Sequence, residues 1–470
     1  MLTRLEVDGF KNLSALAVDF GPLTCIAGAN ATGKSNLFDA IEFLAALADN
    51  PLMEAAQRVR GIGENRAADP RDLFWNGYAA SSPTMYFAAE MIVPYEIEDD
   101  FGQRTHATIT FLRYELEIGY SGPSGSVKRG RLALLSEKLR HIKLGDAPTR
   151  LRFPHSSANW RAHLLRGRRS GTDFISTHKD EHTGETVVRI HQDGGSRGQP
   201  KVASVASAPA TIISTTTQAN DPTILAARRE MQRWQRLALE PSAMRTPNSY
   251  SDPQIMNVNG RYIAGALYRV ALSSEEPARD VYARVAARLA SLTGLRVQEI
   301  GIQEDDARET LTIVLTEASG IQLPARSLSE GTLRFLALCV LLEDPLATGL
   351  LCMEEPENGI HPANIPAMLD LIQDLAVDPS VKPGSDNPLR QMIINTHSPN
   401  IVQLVDPNDL LFADVKISAD GSKHSGLRLR PMHGTWRAAK DAVLGVGKTD
   451  LIDYLIAPAG AQLELQSPAA

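Results

Sequence analysis

The sequence predicts an α/β fold, with a mixed sheet at its core, an antiparallel β-subdomain beside it and an inserted α+β and helical region. Three observations carry this. The apolar run Leu23-Thr24-Cys25-Ile26-Ala27 has strand character, opens into a glycine loop, and is followed from Leu37 to Leu44 by apolar residues at helical spacing. Runs at 85–88, 108–111 and 114–118 have the alternation of strands in an antiparallel sheet. The runs 350–353 and 392–394 are apolar throughout, as strands buried on both faces are.

The glycine loop is the most informative element. Gly28-Ala29-Asn30-Ala31-Thr32-Gly33-Lys34-Ser35 reads G-x-x-x-x-G-K-S between a strand and a helix, the context of a phosphate-binding P-loop. Glycines let successive backbone N–H groups turn inward around phosphate oxygens, and the helix N-terminus adds positive partial charge. Gly28, Asn30, Gly33, Lys34, Ser35 and Asn36 are therefore the expected contacts to a nucleoside triphosphate. Lys34 is expected to reach the β- and γ-phosphates, and the Ser35 hydroxyl to ligate Mg2+.

Taken in order, residues 1–20 read as two strands around Gly9-Phe10-Lys11-Asn12-Leu13, and the helix after the loop runs to about Ala48. Residues 49–82 are polar and broken by Pro and Gly, so irregular structure is expected there. From 127 to 170 basic residues face only Glu137 and Asp146, with Phe153 and Trp160 interleaved. Lys128, Arg129, Arg166, Arg168 and Arg169 are its candidate contacts to DNA or RNA phosphates; the plainer reading is a solvated or acid-paired face. Residues 194–207 read as a Gly/Ser-rich loop, 224–239 as a helix ending before Pro241, 262–272 and 280–292 as helices, and 297–301 and 310–315 as strands. The His178-Lys179-Asp180-Glu181-His182 cluster has zinc-like residue types but a polar loop context, and reads as a loop.

Composition narrows the class. The 470 residues are 43% apolar and 22% charged with a net charge of −7, so any nucleic-acid surface must be local. Cys25, Cys339 and Cys352 each sit in apolar runs without CxxC spacing, which predicts buried thiols in a reducing compartment. The N-terminus lacks a signal peptide's apolar core, and the most apolar stretch, 335–353, is broken by Glu343-Asp344-Pro345. A cytoplasmic protein without a membrane partner is expected.

Three later motifs complete a nucleotide site. Ser327-Leu328-Ser329-Glu330-Gly331-Thr332 opens an amphipathic helix, with Ser327 and Glu330 at capping-box spacing. The strand run 350–353 ends in Glu354-Glu355-Pro356-Glu357, placing carboxylates where Mg2+ and an attacking water need them. The run 392–394 ends in Asn395-Thr396-His397-Ser398-Pro399, where a histidine can sense the γ-phosphate.

In that order, P-loop, L-S-x-G-x at 328–332, acid-Glu-Pro-Glu at 354–357 and Thr-His-Ser at 396–398, the sequence resembles ABC-type ATPases of the RecF/SMC/OLD branch. Over 327–399 it is similar to bacterial "AAA family" ATPases with RecF-like heads, found in DNA maintenance and antiviral defence. The resemblance implies an α/β ABC-type ATPase head with bound ATP and Mg2+. Leu328, Ser329 and Gly331 would form a signature loop meeting the γ-phosphate held by a second subunit, which implies a head-to-head homodimer with ATP sandwiched between heads. Glu355 would be the catalytic base, His397 the switch histidine and Glu354, in place of the usual Asp, the Mg2+ ligand beside Ser35. Gln218 is the nearest candidate for a Q-loop glutamine, and Lys11 another nucleotide-side candidate. The implied head would comprise 1–125 and 320–415, with a basic insertion over 126–260, a helical and strand lobe over 261–319 and a tail over 416–470.

A TOPRIM nuclease would need a Glu and an Asp-x-Asp after His397, and no such pair follows. The role that the resemblance implies is an ATP-hydrolysing switch in antiviral defence with a separately encoded nuclease or toxin effector. The alternative is a RecF/SMC-like repair or chromosome-maintenance ATPase. A transporter subunit fits less well, because its usual arrangement lacks the insertion over 85–300.

Overall fold

The computed structural model describes residues 1–59, 69–123, 130–169, 171–180, 184–193, 201–205, 208–416, 426–438 and 445–457. Its centre is a six-stranded sheet in the order β12 (Trp234–Leu237), β17 (Gly349–Glu354), β18 (Arg390–Thr396), β3 (Leu23–Ala27), β19 (Leu410–Lys416) and β20 (Gly426–Pro431). Every neighbouring pair is parallel except β19 with β20, so the sheet is mixed. The apolar side chains of its strands are covered on both faces. Ile26, Leu350, Cys352, Ile393 and Leu411 pack with the P-loop helix Lys34–Leu47. Their neighbours Cys25, Leu351, Met353, Met392, Ile394 and Leu410 pack with the helices Glu330–Glu343 and Ile365–Leu375.

The other face of the P-loop helix is roofed by an eight-stranded sheet. Its order is β11 (Lys201–Ser204), β10 (Thr186–Ile190), β9 (Ile175–Lys179), β8 (Arg131–His141), β7 (Phe111–Ser121), β4 (Thr84–Ile92), β1 (Leu2–Asp8) and β2 (Leu16–Asp19), all antiparallel. The strands on either side of the expected boundary after residue 125, β7 and β8, are neighbours in this sheet. Gln391 ties the two sheets: it is fully buried, accepts the Leu2 N–H at 2.9 Å and donates to Leu2 O and Gly21 O at 2.7 and 2.9 Å. A lobe of β13 (Asn248–Ser249), β14 (Val297–Asp305), β15 (Thr310–Glu317) and β16 (Gln322–Pro324), with helices Ile263–Ser273 and Ala278–Thr293, packs on the opposite side. β5 (Glu96–Glu98) and β6 (Arg104–His106) pair only with each other, and Arg229 donates to the Glu98 carbonyl at 3.0 Å.

Several local expectations change. The helix expected over 224–239 stops at Gln232, and β12 follows as a parallel edge strand on β17. Edge pairing wins there because the outer backbone groups of β17 need partners. Within the stretch expected to be irregular, Leu52–Arg58 is helical after Pro51, a residue suited to a helix start. The run 108–111 enters β7 only at Phe111; Thr110 instead donates its hydroxyl to Leu164 O at 2.7 Å. The expected loop 194–207 contains β11, and its residues 194–200 and 206–207 lie outside those described. All three cysteines are buried and free. Among the described residues no helix is long and apolar enough to cross a membrane.

Glu137 on β8 anchors the inserted segment. It is fully buried, accepts the Ile212 and Ile213 N–H groups at 2.7 and 3.0 Å and the Tyr114 hydroxyl at 3.1 Å. Glu137→Leu should lower the unfolding free energy by about 3 kcal/mol, because three buried donors lose their acceptor. Burial pushes the Glu137 pKa up to about 7 against those three bonds, from a usual value of 4.5. A raised folded pKa gives stability that is complete below pH 4.5 and lost as pH rises through 7. Urea unfolding across that range should show this component in the wild type and its loss in Glu137→Gln.

Candidate functional site

Strand register gathers the site at the carboxyl edge of the central sheet. Glu354 lies opposite Asn395, and Thr396 opposite Ala27. Beyond Ala27 the Gly28 N–H donates to Thr396 O at 3.2 Å. Ala31 and Gly33 take positive φ of 63° and 98°, the left-handed turns that aim consecutive N–H groups into one concavity. Gly33 is required sterically, because a Cβ would fall 1.9 Å from Asn12 Nδ2. Lys34 opens the helix, is buried, and donates from Nζ to the Gly28 and Ala29 carbonyls at 2.6 and 2.7 Å. Burial lowers its pKa to about 8, against the pull of Glu355, Glu354 and Glu357.

Asn30, Gly33, Lys34, Ser35 and Asn36 line a cleft of about 290 Å3 together with Glu354, Glu355, Asn395 and Asn12. Glu355 is held from three sides. Its N–H donates to Asn395 O and Oδ1 at 3.0 and 3.1 Å, across a backbone with φ 44°. Asn358 Nδ2 donates to its Oε2 at 2.7 Å, and His397 Nδ1 lies 2.8 Å from its Oε1. With Glu355 ionised, that contact requires the proton on Nδ1. Burial raises the Glu355 pKa, but the Asn358 and His397 bonds and the Lys34 charge outweigh it, so the carboxylate stays below its ordinary value. Such a group is an oriented, ionised proton acceptor.

Glu354 pairs with Arg236 Nη2 at 3.1 Å. Glu357 accepts the Thr396 hydroxyl at 2.5 Å, burial raises its pKa, and its Oε2 is buried without a hydrogen-bond partner among the described residues. Among those residues no group of three His, Cys, Asp or Glu is arranged to hold a metal by itself. The hard oxygens of Ser35 and Glu354 beside a phosphate cradle instead suit Mg2+, which is held by one or two protein ligands plus phosphate and water. The residues present therefore fit ATP with Mg2+.

Leu328, Ser329 and Gly331 are not in this cleft. The helix begins at Glu330, and its cap is Ser329 rather than the expected pairing of Ser327 with Glu330: Ser329 Oγ accepts the Thr332 N–H at 3.2 Å. Leu328 is buried, and its carbonyl accepts Arg245 Nη2 at 3.1 Å. At Gly331 an added Cβ would meet nothing nearer than Gly359 O at 3.5 Å, so its own chain does not require glycine there. Arg334 on the same helix donates to Asn358 O at 2.7 Å, linking it to the residue that holds Glu355.

The basic stretch is partly consumed internally. Arg140 pairs with Glu115 and Asp173, Arg150 with Glu90, and Arg152 with Asp19. Arg166 lies over the Tyr95 ring at 4.0 Å, and Arg169 over Phe174 at 4.1 Å while donating to the Thr172, Gln192 and Asp193 carbonyls. Arg168 is exposed and, with Lys143, Arg169 and His141, lines a cleft of about 600 Å3 backed by Ile109, Ile142 and Leu144. Lys128 and Arg129 lie outside the described residues. Of the zinc-like cluster, His178 bonds Ser176 Oγ, and residues 181–183 are outside the described set.

Sequence reasoning passed over Asn12, Arg236, Glu357, Asn358 and Asn395. The last three lie within or beside motifs already singled out, so their polarity next to a buried strand was the available signal. Asn12 braces the loop by donating to Thr32 O at 3.2 Å and accepting Asn36 Nδ2 at 2.7 Å. Neither it nor Arg236 has a sequence spacing that points here. Gln218 faces Asn220 and is not among the residues lining the cleft. Lys11 pairs with Asp39 at 2.7 Å.

A family model described as "AAA domain, putative AbiEii toxin, Type IV TA system" matches residues 23–139 and 246–403. No curated protein matches significantly. Among solved structures, an SMC head bound to the C-terminal winged-helix domain of ScpA is 13% identical, covering 92% of this chain and 97% of its own with a TM-score of 0.42. The Thermotoga maritima SMC head domain is 13% identical, with coverage of 92% and 99% and a TM-score of 0.35. The Pyrococcus furiosus SMC head with an extended coiled coil, bound to the C-terminal domain of ScpA, is 15% identical, with coverage of 92% and 96% and a TM-score of 0.38.

Lys34→Ala should weaken ATP binding by ~100-fold, because a buried cation facing phosphate is removed. Glu355→Gln should bind ATP as the wild type does and lose ~100-fold or more in hydrolysis, since the amide cannot take a proton. Filter binding and phosphate release measure the two effects separately.

Proposed function

The chain belongs to the "AAA domain, putative AbiEii toxin, Type IV TA system" family, and from that premise we propose an ATP-hydrolysing, RecF/SMC-like switch that works as a homodimer in prokaryotic antiviral defence. Its output is a separately encoded nuclease or toxin effector. In each head Lys34 and the loop N–H groups hold the phosphates, and Ser35 and Glu354 provide Mg2+ ligands. Glu355, oriented by His397 and Asn358, accepts a proton from water as that oxygen attacks the γ-phosphorus and the bond to the β-phosphate oxygen breaks. Binding closes two heads and hydrolysis reopens them, so the effector reads a difference in nucleotide state.

The observation that carries the dimer is the position of the signature loop. Ser329 is exposed outside the cleft, and Gly331 is a glycine its own chain does not need. A close approach by a γ-phosphate held on a second head would require it. A second reading, a DNA-maintenance ATPase, is favoured by one observation. The cleft at Lys143, Arg168 and Arg169 has no carboxylate among its lining residues. We include contact with DNA or RNA phosphates at Arg166, Arg168 and Arg169 in the proposal.

Gly331→Arg should keep ATP binding to the single head and lose hydrolysis. Mixed with Lys34→Ala protein it should regain activity, because a heterodimer pairs one intact P-loop with one intact signature loop. Undiminished hydrolysis by Gly331→Arg alone would defeat the composite site. Purified protein should not cut plasmid in Mg2+ or Mn2+. For the basic cleft, Lys143→Glu with Arg168→Glu should reduce the log–log salt slope of oligonucleotide binding by roughly 0.7–0.9 per lost phosphate contact. An unchanged slope in gel-shift titrations would assign these residues to a solvated face.

A further inference from the structure

Arg236 stands where no motif points, and its surroundings are specific. It lies in β12 opposite Cys352, whose side chain packs toward the P-loop helix, so the arginine emerges on that same face. There its guanidinium joins two elements of the nucleotide site. Nη2 lies 3.1 Å from Glu354 Oε1, at the acidic end of β17. Nη1 lies 3.3 Å from Asp39 Oδ1 and 3.6 Å from Glu42 Oε2, both on the P-loop helix. Asp39 is fully buried and takes Lys11 on its other oxygen at 2.7 Å, so the anchor on the helix side is itself fixed.

Glu354 is thus held by a cation at the carboxylate that, with Ser35, supplies hard oxygen for Mg2+. A guanidinium and a divalent ion on the same carboxylate repel one another, so the two compete. We propose that Arg236 is a latch on Glu354. It holds the carboxylate while Mg2+ is absent and releases it when Mg2+ arrives with ATP, after which Asp39 and Glu42 retain the guanidinium. Arg236 is a positioning residue: it acts through Glu354 and sets the Mg2+ concentration at which the site loads. The proposal rests on the reading of Glu354 as a Mg2+ ligand. It concerns a residue between the two segments, 23–139 and 246–403, that the family model matches.

The test is a titration of purified full-length protein with Mg2+ in the presence of a fluorescent, non-hydrolysable ATP analogue, read as the Mg2+ concentration at half-saturation. Arg236→Gln should lower that concentration by about 3- to 10-fold, the factor expected from removing one partly screened competing charge. Arg236→Lys keeps the charge but loses the fork that bridges Glu354 to the P-loop helix, and should fall between the wild type and Arg236→Gln. Thermal unfolding of each variant reports the separate effect of losing a strand-edge ion pair. If Arg236 only braces β12, the melting temperature falls while the Mg2+ half-saturation stays put, and the latch is overturned. A rise in half-saturation for Arg236→Gln also overturns it, because Arg236 would then assist the metal.

Should Arg236→Gln fail to fold, Glu42→Gln removes one competing anchor. It should move the half-saturation upward by about 2-fold, as the guanidinium leans harder on Glu354; no change there overturns the proposal. Analogue binding by Lys34→Ala distinguishes the underlying reading. If it matches the wild type, the nucleotide site itself is misassigned. If it is lost while Arg236→Gln titrates like the wild type, only the latch fails.

Discussion

A strand buried on both faces has to bond its whole backbone to its neighbours, and that constraint organises this protein. β3, β17 and β18 are buried along nearly their whole length and lie parallel in fixed register, so their carboxyl ends stop at one level. A polar side chain inside such a strand needs a buried partner, as Gln391 has, and the other polar groups cluster where the strands end. The P-loop, the acids at the end of β17 and the Asn-Thr-His run at the end of β18 therefore meet there, although the P-loop lies hundreds of residues before the other two. The buried Gln391 secures the other sheet to the same frame by satisfying Leu2 and Gly21 backbone groups that would otherwise be unpaired.

At that edge, charge balance decides the geometry. Lys34 is buried with its pKa lowered, yet Glu355, Glu354 and Glu357 all pull the other way, and Lys34 in turn helps to hold Glu355 ionised. Glu355 adopts a left-handed backbone that a non-glycine residue takes at a cost of about 1–2 kcal/mol. The shared bond to Asn395 O and Oδ1 holds it there. Two routes then leave the acidic edge toward the signature helix. One runs from Glu355 through Asn358 to Arg334. The other runs from Glu354 through Arg236 and along the chain after β12 to Arg245, which donates to the Leu328 carbonyl. The first route consists of direct polar contacts; the second joins an ion pair and a hydrogen bond through the chain between Arg236 and Arg245.

Much of this was legible because it is local. A glycine loop between a strand and a helix, an apolar run ending in acids and another ending in histidine are each written within about ten residues, and hydrogen-bonding pattern and chain stiffness act over that distance. The helix over Ile263–Ser273 and the strands β14 and β15 were readable for the same reason. The failures are also physical. The polar, arginine-rich run after Gln232 continues a helical pattern, and only the open edge of β17 makes Trp234–Leu237 a strand. The expected cap at Ser327 and Glu330 has the right spacing, but the chain enters the helix two residues later, where Ser329 makes the bond.

The sequence by itself determined the fold class, the P-loop and the order of the nucleotide motifs, since these rest on periodicity and on residue types at short, fixed spacing. Only the tertiary structure decided which distant side chains meet. It put Asn12 against Gly33, Arg236 between Glu354 and the P-loop helix, and Asn358 between Glu355 and the signature helix. It also divided the arginines of the basic stretch between internal carboxylates, aromatic faces and one open cleft. The physical reason is range: backbone preference and periodicity are properties of neighbours in the chain, whereas ion pairing and close packing are settled by sheet register across hundreds of residues.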